Sequence, residues 1–228
     1  MKNPTSKGPG RPRGQQSEDK QKLILDEAEK LFAGSGFHAL TLRQVASAAG
    51  VDTALLHYYF KHKRGLFDQV FQRRADVLNA ARLEELNRYE SSLGGEKPSI
   101  HGAINAFITP LIEKSLSQDP GWRSFFGIVA MINNTPEIGG EIMSSNFDPV
   151  VLRLLTLIEK AQPDVPRDQL FWAYHCLSGG ITLTMSQSGR LSRLSGNLCD
   201  SNDMKKAFEH LIDFATAGFM ALPSTHKT

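Results

Sequence analysis

The chain has 228 residues, 40% hydrophobic and 22% charged, with a formal net charge of +2 at pH 7. That is the mix of a soluble globular protein long enough to bury a substantial core. No apolar run reaches the length of a bilayer-spanning helix, and the basic first sixteen residues precede no hydrophobic segment, so neither a membrane span nor a secretory signal is expected.

In chain order, "KGPGRPRGQQ" (residues 7–16) is basic and rich in Gly and Pro, and residues 1–16 read as a disordered basic arm. Ser17 is placed to cap a first helix whose apolar positions, Ile24, Ala28, Leu31 and Phe32, recur at helical spacing until "AGSGF". Thr41 caps a short second helix, "LRQVASAA"; Gly50 breaks it, and "DTALLHYYF" begins a third. From Gly65, "LFDQVFQRRADVLNAARLEEL" reads as one long helix that stops at "SLGGEKPS". Ile104, Phe107, Ile108 and Leu111 mark the next helix, followed by "GWRSFFGIVAMI" and by "EIMSSNFDPVVLRLLTLIEKA", which Pro149 should bend or restart. "QPDVPRDQ" is a turn, and "LFWAYHCLSGGITLTMSQ" is an apolar helix whose small residues at 178–180 suit close packing against a neighbour. Ala207, Leu211, Phe214, Ala215 and Gly218 mark the last helix. No segment alternates like a strand and none repeats, so the fold is expected to be all-α with about nine helices. Cys176 and Cys199 stand far apart and read as reduced, buried small residues; this fits a cytoplasmic protein.

Charge is distributed unevenly. Residues 1–65 carry eleven Lys/Arg against six Asp/Glu, which points to a polyanionic partner for this part of the chain. Within it, "TLRQVASAAGVDTALLHYYFKHKRGLF" (41–67) has the spacing of a helix-turn-helix. Ala46 is small where two helices cross, Gly50 supplies the turn, and Val45, Val51, Leu56 and the ring of Tyr59 point into one core. Thr53, Ala54, Leu55, His57 and Tyr58 are then left on the outer face of the third helix, which can lie in the major groove. Thr41 and the first amides of the second helix can hold a phosphate, as can Lys63, and Arg43 is long enough to reach a guanine edge.

Residues 20–67 resemble the DNA-binding domain of the TetR/AcrR family of one-component transcriptional regulators, in "LFAGSGF", in "TLRQVASAAGV" and in "YYFKHKRGLF". The resemblance implies three DNA-binding helices over about 17–65 and a helical ligand-binding and dimerisation domain over 66–222, with a disordered tail at 223–228. It also implies repression relieved by a small molecule. By position, Thr41, Tyr58 and Lys63 take phosphate contacts, and Arg43, Thr53, Ala54 and Leu55 face the groove. Leu55 stands where a small hydroxyl residue is usual and His57 where tyrosine is usual, which leaves the operator sequence and the role of His57 open. In the arm, "GRPRG" resembles an AT-hook, with Arg11 and Arg13 entering the minor groove of A·T-rich DNA. The other reading of the arm is nonspecific attraction to the polyanion.

Residues 68–222 show no metal-ligand spacing, no phosphate-cradling loop and no nucleophile paired with a base, so no enzyme activity, metal or cofactor is expected. His62 and His101 read as surface residues and His175 as a hydrogen-bonded core histidine. The resemblance implies that the last two long helices join those of a second copy in a four-helix bundle. Phe107, Leu111, Phe125, Phe126, Met131, Phe147 and Trp172 are candidates to line an apolar ligand pocket. "LFWAYHCLSGGITLTMSQ" is also similar to the matching helix of the fatty-acid-responsive members, which implies a long apolar effector such as a fatty acid or acyl-CoA; Arg123 and Arg153 are the candidate partners for its polar head. The expected protein is thus a cytoplasmic, nucleoid-associated homodimer on double-stranded operator DNA, with no membrane partner. Its effector favours a conformer whose fourth helices hold the reading heads at a spacing unsuited to the operator. A DNA-binding regulator or architectural protein without a small-molecule ligand is the alternative.

Overall fold

The computed structural model describes residues 13–224, with side chains from Ser17 onward. Among these residues it is all-α, with ten helices: α1 (Arg13–Ala39), α2 (Leu42–Ala48), α3 (Thr53–Phe60), α4 (Lys63–Ser92), α5 (Ile100–Ser115), α6 (Gly121–Asn133), α7 (Gly139–Ala161), α8 (Arg167–Met185), α9 (Arg190–Leu194) and α10 (Met204–Met220). The helix beyond the expected nine is α9, whose five residues are too short to show a period. Compact packing divides the chain between Val70 and Phe71.

In the N-terminal unit, α1 begins at Arg13 rather than after Ser17, and it kinks at Gly36 before ending at Ala39. Ser17 therefore lies inside the helix and is not its cap. Ile24, Ala28 and Phe32 of α1 are buried with Val45 and Ala46 of α2, Leu56 and Phe60 of α3, and Leu66 and Phe67 of α4. Phe67 is the hub of an aromatic group, edge-on to Phe32 at 5.0 Å and to Phe37 at 5.2 Å between ring centroids. Two glycines shape the joints. Gly50 turns the chain between α2 and α3 at φ 63°, a region that other residues enter only with strain. At Gly65 a Cβ would lie 2.4 Å from the Phe60 carbonyl oxygen, so only glycine lets α4 start this close to the end of α3.

In the C-terminal unit, α10 packs on α5 and α8, α6 on α7 and α8, and α7 on α5 and α8. Pro149 does not break α7, which runs through it; the proline is exposed, and so is Ser145, whose carbonyl loses its helical partner there. The expected small-residue contact is present at Gly180, where a Cβ would fall 2.5 Å from Leu211 Cδ1. On α10 the buried face is Met204, Phe208, Ile212, Ala215 and Phe219, whereas Phe214, one of the apolar positions that mark this helix in the sequence, is 77% exposed. α10 carries two apolar stripes, and only the more strongly apolar one is inside this unit. Cys176, Cys199 and His175 are exposed rather than buried, because they lie on outward-facing positions of α8 and of the segment after α9. Among the described residues no helix is long and apolar enough to cross a membrane.

Glu90 of α4 accepts from Arg153 and Lys160 of α7, and Arg153 also donates to Asn87 Oδ1 at 3.0 Å. The Lys160 ammonium first, then the Arg153 guanidinium, hold the Glu90 carboxyl below its usual 4.5. A carboxyl depressed in the folded state binds fewer protons there than in the unfolded chain, so its contribution is present above the ordinary carboxylate range and lost as pH falls through the folded value. Glu90→Gln should therefore lower the unfolding temperature at neutral pH, and the difference between the two proteins should shrink as the pH falls below the ordinary carboxylate range in thermal unfolding scans.

Candidate nucleic-acid interface and ligand cavity

The helix-turn-helix is fixed at each end by side chain to backbone bonds. The Thr41 hydroxyl accepts from the Gln44 amide at 3.3 Å while the Thr41 amide donates to Gln44 Oε1 at 2.8 Å, a reciprocal capping box that starts α2. Asp52 caps α3 by accepting the Ala54 amide at 2.7 Å. His62 Nδ1 accepts the Gly65 amide at 3.0 Å and so caps α4, a role its exposed position did not suggest. The Tyr59 hydroxyl lies 2.7 Å from Ser17 Oγ and donates to the Ser17 carbonyl at 3.3 Å, tying α3 to α1.

With Leu56 and Phe60 underneath, α3 turns Ala54, His57 and Tyr58 outward, and Tyr58 is 79% exposed. Thr53 and Leu55 are half-buried, so they contribute edges to this face rather than whole side chains. Arg43 and Thr41 are exposed on and before α2. His57 Nδ1 is 3.1 Å from the Lys61 carbonyl oxygen, which can only accept; Nδ1 therefore carries the proton and Nε2 is left for a partner. Lys63 is not free: Nζ donates to the His38 carbonyl at 3.2 Å and sits 4.7 Å from the Phe37 ring centroid. Its two remaining N–H donors are available to an anion. Arg11 and the side chain of Arg13 lie outside the described residues.

The expected ligand-pocket residues do not form one site. Phe107 and Phe147 line a cavity of about 30 Å³ in the C-terminal unit, with Leu78, Arg82, Tyr174 and Ser178 among its other walls. Phe125 and Phe126 are buried in an aromatic group with Trp122, at centroid separations of 5.9 and 6.2 Å. Leu111 is buried outside the cavity wall, Met131 is half-buried, and Trp172 is 66% exposed on the opposite side of α8 from the buried Leu177 and Ile181. Neither arginine expected at the polar head lines the cavity: Arg123 is exposed and Arg153 is engaged by Glu90 and Asn87. The charged wall is instead Arg82, buried between Leu78 and Leu86 on one stripe of α4. The signal was present in the sequence as a charge at the i+4 position of an apolar stripe. Among the described residues no group of His, Cys, Asp and Glu side chains could hold a metal ion.

Comparison with known proteins agrees with these two units. Residues 24–70 match the model of the bacterial regulatory proteins of the tetR family, and residues 105–218, half of the chain, match the tetracyclin repressor-like C-terminal domain. The chain is 28% identical over 182 residues to the HTH-type transcriptional repressor ComR of Escherichia coli K12, covering 75% of this chain and 81% of ComR. It is 42% identical over 53 residues to the HTH-type transcriptional regulator YhgD of Bacillus subtilis 168, a match that spans 23% of this chain and only 28% of YhgD. A solved structure described as a candidate fatty acid metabolism regulator of Clostridium perfringens superposes with a TM-score of 0.59, covering 86% of this chain and 97% of that one. At 21% identity this likeness shows the fold alone. The matches are to transcriptional regulators, not to enzymes.

Tyr59 and Tyr58 are adjacent in sequence but differ in role. Tyr59→Phe removes the tie to Ser17 and should cost about 1 kcal/mol of stability, while Tyr58→Phe should leave stability unchanged; urea unfolding of the two variants checks both.

Proposed function

The chain belongs to the TetR family of bacterial regulatory proteins, and we propose that it is a homodimeric repressor released from its operator by a small apolar ligand. The observation that carries the DNA-binding part is the outer face of α3, capped by Asp52 and held over the core by Leu56 and Phe60, inside the segment that matches the family's DNA-binding model. Arg43, Ala54 and His57 read base edges from this face, helped by the half-buried Thr53 and Leu55. Thr41, Tyr58 and the spare donors of Lys63 hold phosphates. The unit before Val70 is thus the DNA-binding domain, and the unit after it is the ligand-binding and dimerisation domain. Arg11 and Arg13 extend the reading head as an arm. The protein works in the cytoplasm, where its operator is.

Dimerisation is supported by an unusual surface. Trp172 and Leu183 on α8, 66% and 71% exposed, and Phe214 on α10 are large apolar side chains on outward stripes that also carry Gly179 and Gly218. Around both glycines an added Cβ would meet nothing within 4 Å, which leaves room for close approach of another helix. Apolar stripes on two neighbouring helices suit a four-helix bundle formed with the same helices of a second copy. Two reading heads then address half-sites about 34–36 Å apart, or multiples of that spacing.

The apolar effector reading rests on the wall of Leu78, Phe107, Phe147 and Met185. A fatty acid or its acyl-CoA is the ligand class considered, in line with what the Clostridium perfringens structure is described as regulating. A regulator without a small-molecule ligand is the second reading, and the specific observation in its favour is the size of the cavity, about 30 Å³, little more than a water needs. Thermal-shift screening across fatty acids and acyl-CoAs decides between the two readings, since stabilisation by none of them favours the second.

Selection of genomic DNA fragments by the purified protein tests the central claim; enrichment of no specific sequence would defeat it. On the selected site, Arg43→Ala should cost about 1–3 kcal/mol and leave binding to scrambled DNA almost unchanged. Tyr58→Ala should weaken both alike, as read by fluorescence anisotropy. Phe214→Arg should yield a folded monomer by light scattering, with operator affinity lost.

A further inference from the structure

Arg82 is the most deeply buried cation among the described residues, at 4% exposure. Its guanidinium carbon lies 4.3 Å from the centroid of the Phe107 ring, and its Nε is buried with no hydrogen-bond partner. It forms part of the wall of the cavity, and no acidic side chain lines that cavity. Burial pushes the guanidinium down to about 10, so it keeps its charge at neutral pH. Two further walls carry hydroxyls, Tyr174 and Ser178. Burial raises the Tyr174 phenol above its usual 10, so it stays protonated and able to donate. The third hydroxyl, of Thr182, is already spent on the Ser178 and Gly179 carbonyls at 3.1 and 3.2 Å.

A buried cation in a folded protein is ordinarily paired, because a desolvated charge without a counter-ion is costly. The face of an aromatic ring compensates only part of that cost. What this cavity lacks is an acceptor carrying negative charge, and what it offers is a planar donor fork with a phenol nearby, the arrangement that recognises a carboxylate. We infer that Arg82 anchors the acidic head of the effector, which is a free carboxylic acid with an apolar body rather than a neutral ester or a thioester. The inference rests on the effector reading given above. The carboxylate occupies the present cavity of about 30 Å³, and the aliphatic body takes space now filled by Met143 and Met185, the most adaptable side chains of the wall. A thioester carbonyl carries no charge and leaves the guanidinium unpaired, so the free acid is selected over its coenzyme A conjugate.

The test uses the full chain and titration calorimetry with hexanoate and decanoate, their methyl esters and decanoyl-CoA. One or both acids should bind, with the matching ester weaker by on the order of 10-fold or more. Arg82→Met should weaken the acid by on the order of 10- to 100-fold and leave the ester unchanged. The same variant, without ligand, should unfold at an equal or higher temperature than the wild type, since it removes an unpaired buried charge. Arg82→Gln, which keeps hydrogen bonding without charge, gives the same comparison where the methionine variant does not fold. Equal binding of acid and ester, preference for decanoyl-CoA, or an Arg82→Met protein that keeps its acid affinity overturns the role of Arg82 while the effector reading stands. If none of the compounds binds the wild type, both are wrong.

Discussion

A helix of eight residues does not hold its shape in water by itself, so the outer face of α3 exists only because Leu56 and Phe60 are buried beneath it. Each such side chain contributes about 1.5–3 kcal/mol when fully removed from water, more than the about 1 kcal/mol typical of a single cap. The floor they rest on is built by other helices, from Val45 and Ala46 of α2, Phe32 of α1 and Phe67 of α4. The outer face of α3 is therefore a product of packing. Its residues can vary without loss of the helix, provided the buried face does not.

Burial fixes which side of α3 is outward, and the polar contacts fix where its ends lie. Caps worth about 1 kcal/mol each at Thr41 and Asp52 set the first residues of α2 and α3. Tyr59 ties α3 back to α1 through Ser17, and Lys63 ties α4 to the end of α1 through the His38 carbonyl. Gly65 allows the α3–α4 corner to close to a distance no Cβ would tolerate. Lys63 and His62 show how little surplus there is in such a small unit: a residue that reads as a phosphate contact and one that reads as plain surface are also joints of the frame.

The parts of the fold that a period and a cap can specify were legible in the sequence. The Thr41 cap, the Gly50 turn and the buried Val45, Leu56 and Phe107 are examples, and the exposed face of α3 follows from them. What was not legible has a common physical cause: a helix with two apolar stripes does not declare which one its own chain covers. On α10 the positions that mark the helix in the sequence include Phe214, yet the inside is the stripe of Phe208 and Ile212. On α8 the same ambiguity put Trp172 in the pocket and His175 in the core, although both are exposed. Phe125 and Phe126 are inside as expected but pack on Trp122 instead of on the cavity, a distinction that depends on helix rotation and not on hydrophobicity. The start of α1 before Ser17 was hidden by the glycines and prolines of the preceding segment.

Arg82 is the converse case, a charge on a stripe that is otherwise apolar. Its contact with the Phe107 ring is worth about 2 kcal/mol in a desolvated setting, against a penalty of several kcal/mol for removing an ion from water. The remainder is a local destabilisation that a hydrophobic residue of similar size would not carry, and an anion placed against the guanidinium would relieve it. α4 runs from Lys63 to Ser92, so the helix that holds this charge in the C-terminal unit also contributes Leu66 and Phe67 to the floor beneath α3. A ligand can shift a conformational equilibrium only by the difference in its affinity for the two states. An unpaired buried charge is a large source of such a difference, because any conformer that presents it to a carboxylate gains more than one that leaves it facing a ring. On the reading proposed above, the poorly satisfied residue is thus the element through which occupancy of a small cavity can bias the position of α4.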